Sequence, residues 1–125
     1  MDWKLELVIV PVSDVDRAKA FYTDKLGFNA DHDHRVNDKL RFVQLTPPGS
    51  ACSIAIGEGI TTAAPGSVQG LQVVVADVHA ARDQLSARGV DVGEVQVLDW
   101  GSFIWFTDPD GNAWAIQQLP PRPSA

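Results

Sequence analysis

Apolar and polar positions along the chain follow the periods of strands and helices, and the same order of elements occurs twice. In the first half a nearly continuous apolar run predicts a covered strand, and Ser13 or Asp14 can cap the helical pattern that follows. Gly27 is expected to end that helix in the left-handed conformation. The predicted elements are a strand at Leu5–Val12, a helix at Asp16–Leu26 and strands at Phe28–Val36, Lys39–Leu45 and Ala51–Ile56.

The second half repeats this order of strand, cap, helix and three strands. Asp77 is the expected helix cap, and Gly89 is expected to end the helix. The segment Asp108–Asn112 (Asp-Pro-Asp-Gly-Asn) predicts the tight turn between the last two strands. The predicted elements are a strand at Leu71–Val75, a helix at Val78–Arg88 and strands at Val95–Leu98, Ser102–Thr107 and Ala113–Leu119.

The two halves match each other directly in sequence. The segment around Asp14 (Val-Ser-Asp-Val) corresponds to the segment around Asp77 (Val-Ala-Asp-Val), 63 positions later. A repeat of this kind predicts an α+β fold of two βαβββ modules, whose curved mixed sheets enclose a cavity. We expect a single domain over residues 1–119, with modules at about 5–57 and 69–119, a linker at about 58–68 and a flexible tail at 120–125.

Charge and cysteine content narrow the class of function. The 125 residues carry a net charge of −6, which argues against nucleic acid and anionic membranes as partners because both require a basic face. The first residues are too polar for a signal peptide, and Cys52 is the one cysteine, so we expect a cytoplasmic protein without an intrachain disulfide. Cys52 lies in an apolar strand, where a buried and inert thiol is expected.

Three segments together resemble the vicinal oxygen chelate superfamily, which includes glyoxalases, dioxygenases and bleomycin-resistance proteins. They are Val8–Tyr22, Leu26–Phe28 and Phe106–Asn112, which look like the first strand and helix, the helix exit and the closing hairpin of that family. The resemblance implies paired βαβββ modules in a homodimer with a cavity between sheets. Enzymes of the family hold a divalent metal there with His and Glu side chains, whereas its bleomycin-resistance members bind a drug without metal.

The positions that correspond to the family's metal ligands lack suitable donors. They are Leu7, Gly70, Ala115 and one residue among Ser53, Ile54 and Ala55. Hydrogen and alkyl side chains offer no atom to a metal, and a divalent ion needs several oxygen or nitrogen ligands. We therefore predict a protein that uses no metal and no other cofactor.

Strand alternation, anchored on the same positions, predicts which side chains line the cavity. The predicted ligand-binding residues are Leu7, Ile9, Phe42, Gln44, Gln72, Phe103, Trp105 and Gln117. For the strand that contains Phe42 and Gln44, the opposite set of Arg41, Val43 and Leu45 is an alternative. A lining of aromatic, aliphatic and amide groups suits an uncharged or planar organic molecule.

Three functions are compatible with this lining. We favour a metal-independent, homodimeric binding protein of the bleomycin-resistance type that sequesters an aromatic or hydrophobic compound. The alternative is an enzyme of the same superfamily, a lyase, isomerase or dioxygenase with an atypical metal site or none. Glu6, His32, His34 or Arg41 would then have to supply its chemistry. His32 and His34 share one face of a strand, where they could contact a ligand or simply be solvated. The third possibility is a structural subunit or remnant with no ligand, whose cavity is filled by its own side chains.

Overall fold

The computed structural model of the chain describes residues 1–121, which form two βαβββ modules with one four-stranded mixed sheet each. The chain divides into two compact units, Met1–Val68 with Asp108–Asn112, and Gln69–Thr107 with the chain from Ala113 onwards. The first module contains β1 (Leu7–Ile9), α1 (Val15–Ala20), β2 (Asn29–Asn37), β3 (Leu40–Thr46) and β4 (Ser53–Glu58). The second contains β5 (Leu71–Val74), α2 (Val78–Ala87), β6 (Gln96–Leu98), β7 (Gly101–Thr107) and β8 (Ala113–Gln118).

Both helices begin at the predicted aspartates. The Asp14 carboxylate accepts a hydrogen bond from the backbone N–H of Arg17, and Asp77 accepts from those of His79 and Ala80. The first helix differs from the prediction because α1 ends at Ala20 and continues as a π-helical turn, Phe21–Lys25. Neighbouring side chains diverge less in this wider turn than in an α-helix, so both Phe21 and Tyr22 are buried.

The strand order is the same in both sheets, β1-β4-β3-β2 and β5-β8-β7-β6. The first-named strand of each sheet runs parallel to its neighbour and the other pairings are antiparallel. Ile9 pairs with Ala55 in the first sheet, and Gln72 pairs with Ala115 in the second. The predicted α+β fold with two βαβββ modules is therefore confirmed, including the internal repeat.

One face of each sheet packs on the helix of its own module and holds the core. In the first module this face carries Val10, Val43, Leu45, Ile54 and Ile56, all fully or almost fully buried. In the second it carries Ile104, Phe106, Trp114 and Ile116, which are also buried. The opposite face of each sheet is called its helix-free face below.

The first strand is shorter than predicted, Leu7–Ile9 instead of Leu5–Val12. β1 pairs only with β4, which starts at Ser53 opposite Leu7, so Leu5 has no strand partner and is exposed. Pro11 has no backbone N–H to donate and ends the strand. In the predicted tail, Pro120 and Pro121 are exposed and belong to no helix or strand, and the remaining four residues lie outside the described part of the chain. Neither helix between residues 1 and 121 is long and apolar enough to cross a membrane.

Candidate functional site

The helix-free face of the second sheet brings four predicted ligand-binding residues together. Trp105 of β7 and Gln72 of β5 are both Cα partners of Ala115, one on each side of β8. Phe103 is the partner of Gln117 two positions further along the same strands. Because directly paired residues point to the same side of a sheet, Gln72, Phe103, Trp105 and Gln117 share one face, as the alternation predicted.

An aromatic pair covers the β7 part of this face. The rings of Phe103 and Trp105 stack with centroids 5.6 Å apart and planes 13° from parallel. Phe103 is only 4% exposed, whereas Trp105 is 45% exposed. The pair therefore presents indole surface to solvent on a support that is itself buried, which is an arrangement suited to stacking a planar molecule.

Amide groups occupy the β5 and β8 part of the same face. The Gln72 side-chain Nε2 donates to Gln117 Oε1 at 2.7 Å, and Gln117 Nε2 donates to the backbone carbonyl of Trp100 at 2.8 Å. The face thus combines an aromatic surface with a chain of oriented amides. Both are expected of a site that stacks on the ring of a ligand and forms a hydrogen bond with a polar group on that ring.

The helix-free face of the first sheet carries Leu7, Ile9, Phe42 and Gln44. Gln44 and Ile9 are both partners of Ala55, and Phe42 is the partner of Gly57 on the same strand. The alternative set is wrong for this face, because Val43 and Leu45 are fully buried on the helix side and Arg41 donates to Asp16 of α1 at 2.8 Å. That the two helix-free faces line one common cavity, and that these residues bind a ligand, stay predictions.

The histidines of β2 lie on the same face as Phe42 and Gln44. His32 pairs with Gln44 and His34 with Phe42, and the two imidazoles stack with centroids 5.7 Å apart. Every residue of β2 is exposed, so a solvated role and a role in ligand contact both stay open. A β-bulge at Asp31 shifts the register of this strand, and the hydrogen bond from Thr46 lowers the pKa of the Asp31 carboxyl.

The four residues named for an enzyme do not converge. Arg41 lies on the helix side of β3, where it holds Asp33 at 2.9 Å, and together with Lys19 it keeps the pKa of that carboxyl far below its usual range. His32 and His34 lie on the other side of the sheet. Glu6 is exposed and precedes β1. A catalytic set assembled from these residues has no support in the geometry of the first module.

The family's metal also lacks its ligands in this chain. The repeat makes Ala55 the counterpart of Ala115, since each is the partner of the equivalent residue on the parallel strand. The four corresponding positions are therefore Leu7, Ala55, Gly70 and Ala115, and none carries a side-chain donor. Across residues 1–121, no group of three or more His, Cys, Asp or Glu side chains is arranged to hold a metal ion. The donor set does not fit the metal, and the absence of a cofactor from the protein stays a prediction.

The second unit also contains a cleft that the sequence did not predict as a site. Its volume is about 410 Å³, and β6 pairs only with Gly101–Phe103, so the rest of β7 has no strand partner at this edge among the described residues. The lining residues are Asp91, Gly93, Trp105, Phe106, Thr107, Ala113 and Trp114. The sequence contained one signal for this cleft, because the predicted strand Val95–Leu98 is shorter than the neighbouring predicted strand Ser102–Thr107. Trp105 belongs to both the cleft and the helix-free face.

Cys52 differs from its prediction, because the residue is half-buried and not buried. It precedes β4, which begins one residue later, and its thiol lies 3.6 Å from the carbonyl of Ser53. The strand was predicted to begin at Ala51 but begins at Ser53, so Cys52 lies outside it and its side chain is not enclosed.

Comparisons with known proteins agree with this fold. The model of the Glyoxalase/Bleomycin resistance protein/Dioxygenase superfamily matches residues 4–116. The crystal structure of TnmS3, an antibiotic binding protein from Streptomyces sp. CB03234, is 34% identical, with a TM-score of 0.87 over 95% of this chain and 98% of that chain. A glyoxalase/bleomycin resistance protein from the same strain is 36% identical, with a TM-score of 0.81 over 92% and 100% of the two chains. The uncharacterized protein YetH of Bacillus subtilis (strain 168) is 29% identical over 115 residues, 89% of this chain and 94% of YetH.

Proposed function

This chain belongs to the glyoxalase/bleomycin resistance protein/dioxygenase superfamily, and we propose that it binds and sequesters an aromatic or hydrophobic small molecule without a metal ion. The observation that carries the proposal is the aromatic pair of the second module. Trp105 is 45% exposed on a face where its stacking partner Phe103 is buried. A half-exposed indole that stacks on a buried ring offers a held, flat aromatic surface, and this arrangement supports a binding surface for a planar molecule.

The similarity to TnmS3 supports the same function. That protein is an antibiotic binding protein, and it covers nearly the whole of this chain at 34% identity. The donor set supports the metal-independent part of the proposal, because Leu7, Ala55, Gly70 and Ala115 offer no ligand atoms. Binding alone then accounts for the site, since Arg41 lies on the side of the first sheet opposite to His32 and His34.

We further propose that the protein acts as a homodimer in the cytoplasm. Several large apolar side chains outside the core are exposed, among them Trp3 at 88% and Leu5 at 72%, and such side chains favour association. The single cysteine suits a reducing compartment. Light scattering at micromolar concentration should give about twice the chain mass of 13.5 kDa. A monodisperse species of single-chain mass would contradict the dimer without affecting the binding proposal.

A fluorescence titration tests the binding function. The probe is 2-naphthol, a planar aromatic whose binding should quench the emission of Trp105. We expect Trp105→Ala to weaken binding by about 1–3 kcal/mol, the usual loss when an aromatic anchor is truncated. Trp3→Ala is the matched control, because Trp3 precedes β1 and lies outside the site residues. Calorimetry on the same variants separates loss of binding from loss of an indole signal.

Two results would count against the proposal. One is a Trp105→Ala variant that binds as tightly as the parent protein. The other is a parent protein that binds no member of a panel of planar aromatics while Trp105→Ala unfolds. That second result would mean that the ring serves packing, as in a filled cavity.

A further inference from the structure

We propose that the ligand carries a hydrogen-bond donor such as a hydroxyl group on its planar ring, and that the side-chain carbonyl of Gln72 accepts from it. This inference rests on the proposed function and specifies the ligand class of that site. It depends on the direction of the hydrogen bonds among Trp100, Gln117 and Gln72. An amide side chain can normally rotate to offer either its oxygen or its nitrogen, so direction must be imposed from outside.

A backbone carbonyl imposes that direction here. The carbonyl of Trp100 can only accept, so Gln117 must turn its Nε2 towards it, at 2.8 Å. Gln117 Oε1 then faces Gln72 and can only accept, so Gln72 must donate from its own Nε2, at 2.7 Å. Gln72 Oε1 is left at the end of the relay with no hydrogen bond from residues 1–121. The acceptor at this end of the face is thus set by the main chain.

The turn before β7 keeps the start of the relay in place. Gly101 has a φ of +146°, and a Cβ atom at this position would lie 2.7 Å from the Gln118 carbonyl oxygen and 3.0 Å from Gln117 Nε2. A larger residue would therefore collide with the Gln117 amide, which donates to the Trp100 carbonyl. Glycine at this position allows the Gln117 side chain to lie across the turn and reach it.

The free acceptor is within reach of a ring that stacks on Trp105. Gln72 and Trp105 flank Ala115 on the same face, and two inter-strand spacings place their Cα atoms roughly 10 Å apart. Ala115 contributes only a methyl group between them. A ligand lying on Trp105 that extends over the amide would cover Gln72 Oε1. A covered carbonyl without a donor is unfavourable, so the face discriminates in favour of ligands that supply one.

Paired probes that differ only in the donor test this inference. 2-Naphthol has a hydroxyl group, whereas 2-methoxynaphthalene keeps the oxygen as an acceptor and loses the hydrogen. We expect the parent protein to bind 2-naphthol about fivefold more tightly, the effect of one neutral hydrogen bond. Gln72→Met should remove this preference, so that the variant binds the two probes with equal affinity. Gln117→Met should reduce the preference too, because the Gln72 amide is then free to rotate.

The control is Gln84→Met, the same change at an exposed glutamine of α2, which should keep the preference. Equal affinity for both probes, with binding still dependent on Trp105, would overturn the inference and leave the proposed function standing. A preference that survives in Gln72→Met would overturn it as well. Failure of both probes to bind would contradict the proposed function and remove the inference with it. Gln72 is exposed, so its variant is expected to fold, and Gln117→Met provides a second, independent variant.

Discussion

The two modules have the same strand order and the same pairing register, yet their helix-free faces carry different chemistry. Phe42 of β3 and Phe103 of β7 occupy equivalent positions, each opposite the β4 or β8 residue two after the shared alanine. Two residues further along the same face, β3 has Gln44 where β7 has Trp105. The first module thus has an amide where the second has its exposed indole.

The exchange continues on the parallel strands. Ile9 of β1 is equivalent to Gln72 of β5, so the first module has an aliphatic side chain where the second has its amide acceptor. Four helix-side positions do not diverge in this way and are apolar and buried in both modules. They are Val43, Leu45, Ile54 and Ile56 in the first module and Ile104, Phe106, Trp114 and Ile116 in the second. The buried alternation therefore maintains the fold, whereas the positions on the opposite face are free to specify a ligand. It also locates the proposed aromatic site on one module rather than on both.

The hairpin turns of the two modules differ most strongly, and this difference predicts the largest effect. The Asp108 carboxylate is buried and accepts from Tyr22 Oη at 2.7 Å, Asn112 Nδ2 at 2.8 Å and two backbone N–H groups. Asp108→Ala removes all four of these hydrogen bonds from a buried cluster, so we expect a loss of about 3–5 kcal/mol in the free energy of unfolding. Urea denaturation provides the measurement.

The corresponding turn between β3 and β4 supplies the control for that experiment. Ser50 is exposed there, and its hydroxyl group bonds to the backbone N–H and carbonyl of Cys52. We expect Ser50→Ala to cost less than about 1 kcal/mol. Comparable losses for Asp108→Ala and Ser50→Ala would show that the buried network of the second turn contributes little.

Substitutions on the two faces of the second sheet should differ in their cost to stability, and this difference is smaller. Trp114 lies on the helix side, where it is 3% exposed and stacks on Phe106 with centroids 6.0 Å apart. We expect Trp114→Ala to lower the free energy of unfolding by about 3–5 kcal/mol, and Trp105→Ala by about 1–2 kcal/mol because its ring is half exposed. Thermal melts of both variants test this, and an equal loss would assign Trp105 to the core.

Sequence alone predicted the helix-side alternation and the repeat because both follow from apolar periodicity and capping. Asp14 and Asp77 cap the helices as expected, and Gln72, Phe103, Trp105 and Gln117 share a face because side chains alternate strictly along a strand. The direction of the amide relay was not predictable. It depends on a carbonyl in the turn after β6, which only the conformation at Trp100 and Gly101 brings to Gln117.

Strand alternation alone does not say which of the two alternating sets faces the cavity, unless one residue of the strand has already been assigned to a face. Phe42 and Gln44 could not be separated from Arg41, Val43 and Leu45 by sequence, because the β3 pattern has apolar residues on both faces. The pairing of Gln44 with Ala55 resolves the ambiguity. The cleft beside β7 was missed for a related reason, since it depends on where β6 stops pairing and on the loop that contains Asp91 and Gly93.

Acid should weaken the first module more than the second, by a modest amount. Asp33 of β2 is bonded to Lys19 and Arg41, and these partners hold its pKa far below the usual range. A carboxyl with a lowered native pKa stabilises the fold above its unfolded pKa, and this contribution is lost as pH falls below about 4. We expect Asp33→Asn to cost about 1 kcal/mol at pH 7, after allowance for solvent screening, and less towards pH 2. A cost that does not depend on pH would contradict the ion-pair explanation.

Metal chelation should have the smallest effect of all, and the repeat explains why this holds for both modules. The ligand positions are Leu7 and Ala55 in the first module and Gly70 and Ala115 in the second, so neither module contributes a donor to a metal. A metal bound to the native state would raise Tm, and its removal would lower Tm. Because we expect no bound metal, excess EDTA should leave Tm unchanged within error. Elemental analysis should find well under one equivalent of Zn, Ni, Mn or Fe per chain. A stoichiometric metal together with a Tm that falls on chelation would mean that donors outside these four positions form a site, with His32 and His34 as the first residues to substitute.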